Sequence, residues 1–373
     1  MIQVNHVLMT ADTIGGVWNY ALELARVLGK HDVQVSLATM GARVSPQQRA
    51  EARKIPNLSL YESSFKLEWM PEPWDDVKRA GEWLQQLEAV LDPDVVHLNG
   101  YCHGALDWNS PTVIVCHSCV LSWWQVVKYE RAPIDWICYE DEVRSGLMKT
   151  DAVVAPTQAM LDMMNRQYGY ISNGRVIYNA RDPLTFKPLA KEPLVLTVGR
   201  LWDEAKNVAA LDAVAGDVKW PIYAAGEAAH PNRSVKQHRN VVGLGQLTTD
   251  EVAKWYGRAS IYALPARYEP FGLTALEAAL SGCALVLGDI PTLREIWADN
   301  ALYVHPDDNS ALCDGLHRLI ENPAEREMMS QKARSRARLF DPHRMGCDYL
   351  EVYEELLAEQ PAKRSSKYRV SLN

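Results

Sequence analysis

Two series of short, unbroken apolar runs, each alternating with helical stretches, constrain this chain more than any other feature. The first series is residues 4–9, 33–39, 94–98, 112–116 and 152–155; the second is 194–198, 221–225, 241–244, 261–264 and 284–287. Runs of this length with no polar alternation read as strands buried on both faces, so each series predicts a parallel sheet with helices on either side. A chain of 373 residues has room for two such domains, each with its own core. The seam falls near residues 180–193, where Arg181-Asp182-Pro183, Lys187-Pro188 and Lys191-Glu192-Pro193 carry linker chemistry. Residues 345–359 read as a helix with an apolar stripe of Tyr349, Val352, Tyr353, Leu356 and Leu357, followed by a basic tail at 363–369. Open parallel sheets bind ligands beyond the carboxyl ends of their strands, so two sheets that face each other enclose a cleft lined by those loops.

Composition narrows the function classes. The hydrophobic share of 47% and charged share of 23% exclude a disordered chain. A net charge of −8 argues against generic nucleic-acid binding, and no apolar run reaches the roughly 18–20 residues of a membrane span. The start, Met1-Ile2-Gln3-Val4-Asn5-His6-Val7-Leu8, reads as a first strand rather than a secretory leader, and a cytoplasmic protein is the expectation. Seven cysteines in that setting are expected to be free thiols. Cys116-His117-Ser118-Cys119, with Cys102-His103 nearby, lacks the second pair that a zinc frame needs, so structural thiols are expected and no metal is assigned.

The loops after strands carry the chemistry. Gly15-Gly16 precedes a helical stretch at 17–28; it either lets backbone approach an anion or forms a plain tight turn. Arg200 and Lys206 share the loop after the first strand of the second series; they suit a diphosphate, or else pair with Asp203 and Glu204. Gly226-Glu227 and Gly243-Leu244-Gly245 end the next two strands, and either is a backbone platform for a base or a plain turn. His97 and His117 take matching positions in the first half. Most informative is Tyr268-Glu269-Pro270-Phe271-Gly272-Leu273-Thr274-Ala275-Leu276-Glu277. It offers a helix start to an anion and sets two carboxylates beside an apolar run, where burial without a polar partner is costly; the other reading is an ordinary helix N-terminus with one surface and one snorkelling glutamate.

Together these residues resemble the GT-B glycosyltransferases of the large retaining family 4. The pair Glu269 and Glu277, with seven residues between them, matches the family's E-x7-E motif; Gly199-Arg200 with Lys206 matches its basic pair, and Gly15-Gly16 its N-terminal glycine loop. The resemblance implies an α/β fold of two facing Rossmann-like domains with a deep cleft, and a C-terminal helix crossing back to the first domain. Residues 1–183 would form the acceptor-binding domain, 184–345 the nucleotide-sugar domain, and 346–373 the crossover helix and tail. It implies that Arg200 and Lys206 hold a diphosphate and that Glu269 meets the donor sugar. Phe271, Gly272, Leu273 and Thr274 would present the helix start, Glu277 would bind the ribose, and Gly226 and Leu244 would flank the nucleotide. His117 would approach the sugar or acceptor. No cofactor or metal is implied; the co-substrate would be a UDP, GDP or ADP sugar and the acceptor a saccharide, lipid or small molecule.

The chain departs from the family at Asn207, where glycine is usual, in a gap between Arg200 and Lys206 one residue longer than in many relatives, and at Asn179-Ala180-Arg181-Asp182. A nucleotide-sugar epimerase of the same fold and a non-catalytic nucleotide-sugar-binding protein are the alternatives. For the acceptor, residues 69–83 and Ser122-Trp123-Trp124 offer aromatic faces, with core packing as the other reading. Arg326, Lys332, Arg334, Arg336, Arg338 and the tail offer an anionic membrane a weak contact, against the reading of a solvated helix face.

Overall fold

The computed structural model describes residues 3–227 and 239–359. The chain divides into two compact units, one of residues 1–122, 131–178 and 342–373, the other of residues 123–130 and 179–341. The changes of unit after residues 178 and 341 fall a few residues before the boundaries read from the sequence. The short stretch from Trp123 to Glu130 belongs with the second unit despite its place in the first half of the chain.

The first unit holds β1 (His6–Asp12), β2 (Gln34–Met40), β3 (Leu58–Glu62), β4 (Val95–Leu98), β5 (Thr112–Val115), β6 (Ala152–Ala155) and β7 (Gly174–Val176). These form one sheet in the order β3-β2-β1-β4-β5-β6-β7, with parallel pairing throughout. The second unit holds β8 (Glu192–Val198), β9 (Ile222–Ala225), β10 (Val242–Gly245), β11 (Ala259–Leu264), β12 (Ala284–Gly288) and β13 (Leu302–Val304), ordered β10-β9-β8-β11-β12-β13. Both are doubly wound orders. The strand order reverses beside β1 in one sheet and beside β8 in the other, and the crevice at that reversal is where such sheets bind ligands. The strands between the edges are apolar on both faces because helices cover both, as the side chains of β5, β6, β11 and β12 show by being buried without exception.

The last described helix, Pro342–Glu359, begins before the stretch read from sequence because a proline is accommodated in the first turn, where its missing N–H costs nothing. It packs on the first helix, Gly16–Gly29. A Cβ on Gly346 would lie 2.2 Å from Val27 Cγ1, so only glycine permits that approach. The tyrosines of its stripe enter the first unit: Tyr353 OH lies 2.6 Å from His97 Nδ1, and the Tyr20 and Tyr349 rings meet edge to face. The basic tail at 363–369 lies outside the described residues. Among the described residues no helix is long and apolar enough to cross a membrane.

Candidate active site

Three strands of the second unit, β8, β9 and β10, end side by side in glycine-bearing turns. Gly199 N–H donates to the Ala225 carbonyl (3.0 Å) and Gly226 N–H to the Gly245 carbonyl (2.8 Å). A Cβ on Gly226 would stand 1.8 Å from the Gly199 carbonyl oxygen, and the residue sits at φ 135°, so this position is closed to any side chain. Leu244, in β10, is half-buried against the core beside this platform.

The loop after β8 carries Arg200 and Lys206 around Asp203. Arg200 Nη2 donates to Asp203 Oδ2 (3.0 Å) and its guanidinium lies over the Trp202 ring. Asp203 Oδ1 accepts from Ala205 N–H (3.0 Å) and from the Trp123 indole N–H (3.2 Å). Burial alone would raise the Asp203 pKa; the charges of Arg200 and Lys206 with these two donors outweigh it and hold the carboxyl below its ordinary range. Glu204 pairs instead with Lys128 (2.7 Å). The pairing of both loop cations with Asp203 and Glu204 considered above therefore holds for Arg200 and not for Lys206.

Lys206 crosses to Glu269, the first residue of the E-x7-E pair, and forms an ion pair with its Oε2. The other oxygen, Oε1, accepts the Gly272 N–H (3.0 Å), and the Glu269 carbonyl accepts the Thr292 hydroxyl. This fixes the carboxylate at the start of the helix Leu273–Leu280, at the carboxyl end of β11 and beside the reversal of strand order. Gly272 takes φ 90° there, and its N–H is committed to Glu269 rather than held out for a ligand, which departs from the role the resemblance gave it. Phe271 turns its ring into the core against Phe340, and the Thr274 hydroxyl accepts from Tyr262 OH (2.7 Å). Leu273, with Thr274, opens the helix whose first N–H groups have no partner within it.

Asn207 explains why the loop tolerates losing its usual glycine. The residue adopts φ 55°, ψ 38°, a left-handed conformation that asparagine accepts more readily than most side chains. Its Nδ2 donates to the carbonyls of Pro265 (2.9 Å) and Pro306 (2.7 Å), and its Oδ1 accepts from Arg267 Nη1 (2.6 Å). The side chain replaces the freedom of glycine with three fixed bonds.

Glu277 lies deeper. Arg181 Nε stands 2.7 Å from its Oε1, with the two side chains only 5% and 7% exposed, and the guanidinium rests over the Phe186 ring. Arg181 was visible in the sequence as part of the linker and as a departure in the Asn-Ala-Arg-Asp stretch; nothing in its spacing announced a buried partner for Glu277.

In the first unit, Gly15 caps the first helix at φ 111° without a side-chain bond, and Gly16 begins it; both are exposed. Asp12 Oδ1 accepts the Ile14 N–H, and the Thr13 hydroxyl donates to the Ala42 carbonyl (3.0 Å), which ties this turn to the end of β2. Asn99, after β4, organises the two histidines. Its Nδ2 donates to the Thr10 carbonyl (2.6 Å), which fixes the amide so that Oδ1 faces His117 Nε2 (2.7 Å) and His97 Nε2 (3.3 Å). His117 must therefore carry its proton on Nε2, leaving Nδ1 as the basic atom. Burial pulls both pKa values down to about 3, with the neighbouring His97 adding to the effect on His117. An unfolded histidine protonates near 6.5, so below that value the unfolded chain binds more protons than the folded one. Stability is thus full above about pH 6.5 and falls as the pH drops towards 3. Urea unfolding at a series of pH values should show this decline, and His117→Gln should flatten it; an unchanged slope would remove His117 from the effect.

Glu68 caps the turn after β4, accepting from Tyr101 N–H (3.1 Å) and Cys102 N–H (2.9 Å). Cys116 and Cys119 are buried thiols whose pKa values burial pushes up. Trp74, Trp83, Trp108 and Trp136 pack on the first unit's core. Arg326, Arg334 and Arg336 donate to backbone carbonyls of Leu319, Leu280 and Ile296; among the described residues Lys332 and Arg338 are the exposed members of the basic set.

Comparison with known proteins agrees with this architecture. Residues 14–183 match the model of Glycosyltransferase Family 4, and residues 183–336 match that of Glycosyl transferases group 1. A D-inositol 3-phosphate glycosyltransferase from Nocardioides is 32% identical over 115 residues, 30% of this chain and 25% of that protein. One of the same name from Xylanimonas cellulosilytica is 24% identical across 94% of each chain. The chain thus spans about a quarter of the length of the first of these relatives and nearly all of the second. Among solved structures, a sucrose-phosphate synthase from Thermosynechococcus elongatus superposes with a TM-score of 0.79 at 20% identity, over 95% of this chain and 100% of that one. Alr3699/HepE of Anabaena, solved in complex with UDP-glucose, gives 0.74 at 15% identity, over 94% and 99%. With two doubly wound sheets, a returning C-terminal helix and both family models aligned end to end, the chain belongs to the GT-B glycosyltransferases of family 4, group 1.

Proposed function

We propose that this chain is a retaining glycosyltransferase that moves a sugar from a nucleotide-diphosphate sugar to a saccharide, lipid or small-molecule acceptor. The observation that carries the reading is the Lys206–Glu269 pair, pinned by the Gly272 N–H at the point where the second sheet reverses its order. A donor diphosphate placed there draws Lys206 and Arg200 to its developing charge, while the opening turn of the helix Leu273–Leu280 adds N–H dipoles. These cations do the work that a metal would otherwise do. The glycine ends of β8 and β9 let the nucleotide approach backbone at Gly226, with Leu244 beside it. The UDP-glucose held by the Anabaena protein supports a donor of this class. In the first unit, Gly15 and Gly16 and the neutral His117 are the proposed contributors towards sugar and acceptor.

Both oxygens of Glu269 are engaged, one by an ammonium and one by an amide. A carboxylate so held is a poor nucleophile, which favours front-face attack with the leaving phosphate taking the acceptor's proton over a double displacement. Glu269 then orients the sugar hydroxyls. Glu277, whose Oε1 is paired with Arg181, is the proposed ribose contact.

A panel of UDP, GDP and ADP sugars in a thermal-shift assay tests the donor site. A ligand at about 100 times its Kd stabilises by about 2.7 kcal/mol. One base series should shift the transition; no shift with any of them would remove the reading. With the donor in hand, NMR of the product reports the anomeric configuration, and inversion would overturn the retaining assignment.

A further inference from the structure

A second cluster lies in the first unit, in a place the donor chemistry does not use. The turn after the first helix brings His31 against the C-terminal helix, where His343 and Cys347 stand one turn apart on the same face. One ligand atom from each of the three, an imidazole nitrogen twice and the thiol sulfur once, lies within 4.8 Å of the others. The two imidazoles are parallel within 3° at 5.5 Å, and Cys347 Sγ stands 3.8 Å from His343 Nε2. His31 Nε2 is buried and has no hydrogen-bond partner, which is costly for a polar atom that nothing satisfies. His343 and Cys347 are exposed on the helix surface.

We propose that His31, His343 and Cys347 form a zinc site, with water in the fourth position. Two imidazoles and a thiolate are a donor set for a borderline divalent ion and a poor one for magnesium or calcium, which take oxygen. Zn–N bonds of about 2.0–2.1 Å and a Zn–S bond of about 2.3 Å place tetrahedral ligand atoms roughly 3.3–3.8 Å apart, a small contraction from the distances present.

The backbone is already set for it. His31 N–H donates to the Leu28 carbonyl (3.0 Å) and Val33 N–H to the same oxygen (3.1 Å), and Asp32 completes the turn at φ 62°. The close approach of Gly346 to Val27 fixes the helix pair next to Cys347. Little chain has to be ordered when the ion enters, so the ligands meet it nearly preorganised. On binding, the Cys347 S–H bond breaks, its proton passes to buffer and a Zn–S bond forms; the zinc stays divalent throughout. The ion would staple the first turn of the C-terminal helix to the end of the first helix.

Titration of the chelator-treated full chain with zinc chloride by calorimetry tests this. The expected result is one zinc per chain, a heat that varies with the ionisation enthalpy of the buffer because a proton is released, and a rise in Tm. Cys347→Ser and His343→Ala should each weaken binding by about tenfold or more, and His31→Ala likewise. Cobalt(II) in place of zinc should give a thiolate-to-metal charge-transfer band that Cys347→Ser abolishes. Absence of stoichiometric binding would overturn the proposal. So would binding that survives Cys347→Ser unchanged, which would place the ion elsewhere.

Discussion

Glu277→Gln is expected to lower the unfolding free energy of the second unit by about 3–5 kcal/mol, because it removes the carboxylate from a buried ion pair with the Arg181 guanidinium. The two side chains are 5% and 7% exposed, so solvent screens the pair weakly. Tyr256 offers no substitute charge: burial first, then the neighbouring Glu277, raises its pKa well above the ordinary value and keeps it a neutral phenol. Urea unfolding measures the loss. The double variant Arg181→Met with Glu277→Leu should recover most of it, since an apolar pair of similar volume often equals or exceeds a buried ion pair. The same experiment separates two roles. If Glu277→Gln left stability intact and raised only the donor KM, the carboxylate would be a ribose ligand first and the partner of Arg181 incidentally.

Lys206→Met is expected to lower turnover by about 10²–10³, the cost of removing one preorganised group from a developing negative charge. The side chain is mostly buried and faces a carboxylate whose other oxygen is held by the Gly272 N–H. Arg200→Ala should fall in the same range. Turnover near that of the unaltered enzyme in either variant, with the donor found by the thermal-shift panel, would take that cation out of leaving-group stabilisation. Lys206→Arg is not a conservative rescue, because a planar fork does not fit where a point charge meets one oxygen.

The architecture was legible because buried parallel strands announce themselves as continuous apolar runs. The strands that escaped were β3, β7 and β13, all at sheet edges, where one side meets solvent and the runs Leu-Ser-Leu-Tyr-Glu, Gly-Arg-Val and Leu-Tyr-Val are short or interrupted by polar residues. In the candidate site, the residue types at loop positions were readable, and their pairings were not. Lys206 reaches across 63 positions of sequence to Glu269, and Arg181 across 96 (277 − 181) to Glu277. Asn99 carries no signal of its own in the sequence; its importance comes from the Thr10 carbonyl that fixes its amide, a contact made by neighbouring strand ends. Pairings of this kind follow from strand order, which the local pattern does not encode.

The Tyr353 hydroxyl against His97 spans 256 positions of the chain. A ribosome therefore releases nearly all of the first unit long before the helix that closes it exists. Until that helix emerges, the nascent first unit exposes His97 and the face of its first helix to whatever else is nearby. The second unit, whose described strands and helices are all made by residue 341, meets no such delay. Synthesis therefore completes the second unit first and the first unit last, and a chain truncated before Pro342 should be far more prone to aggregation than its length suggests.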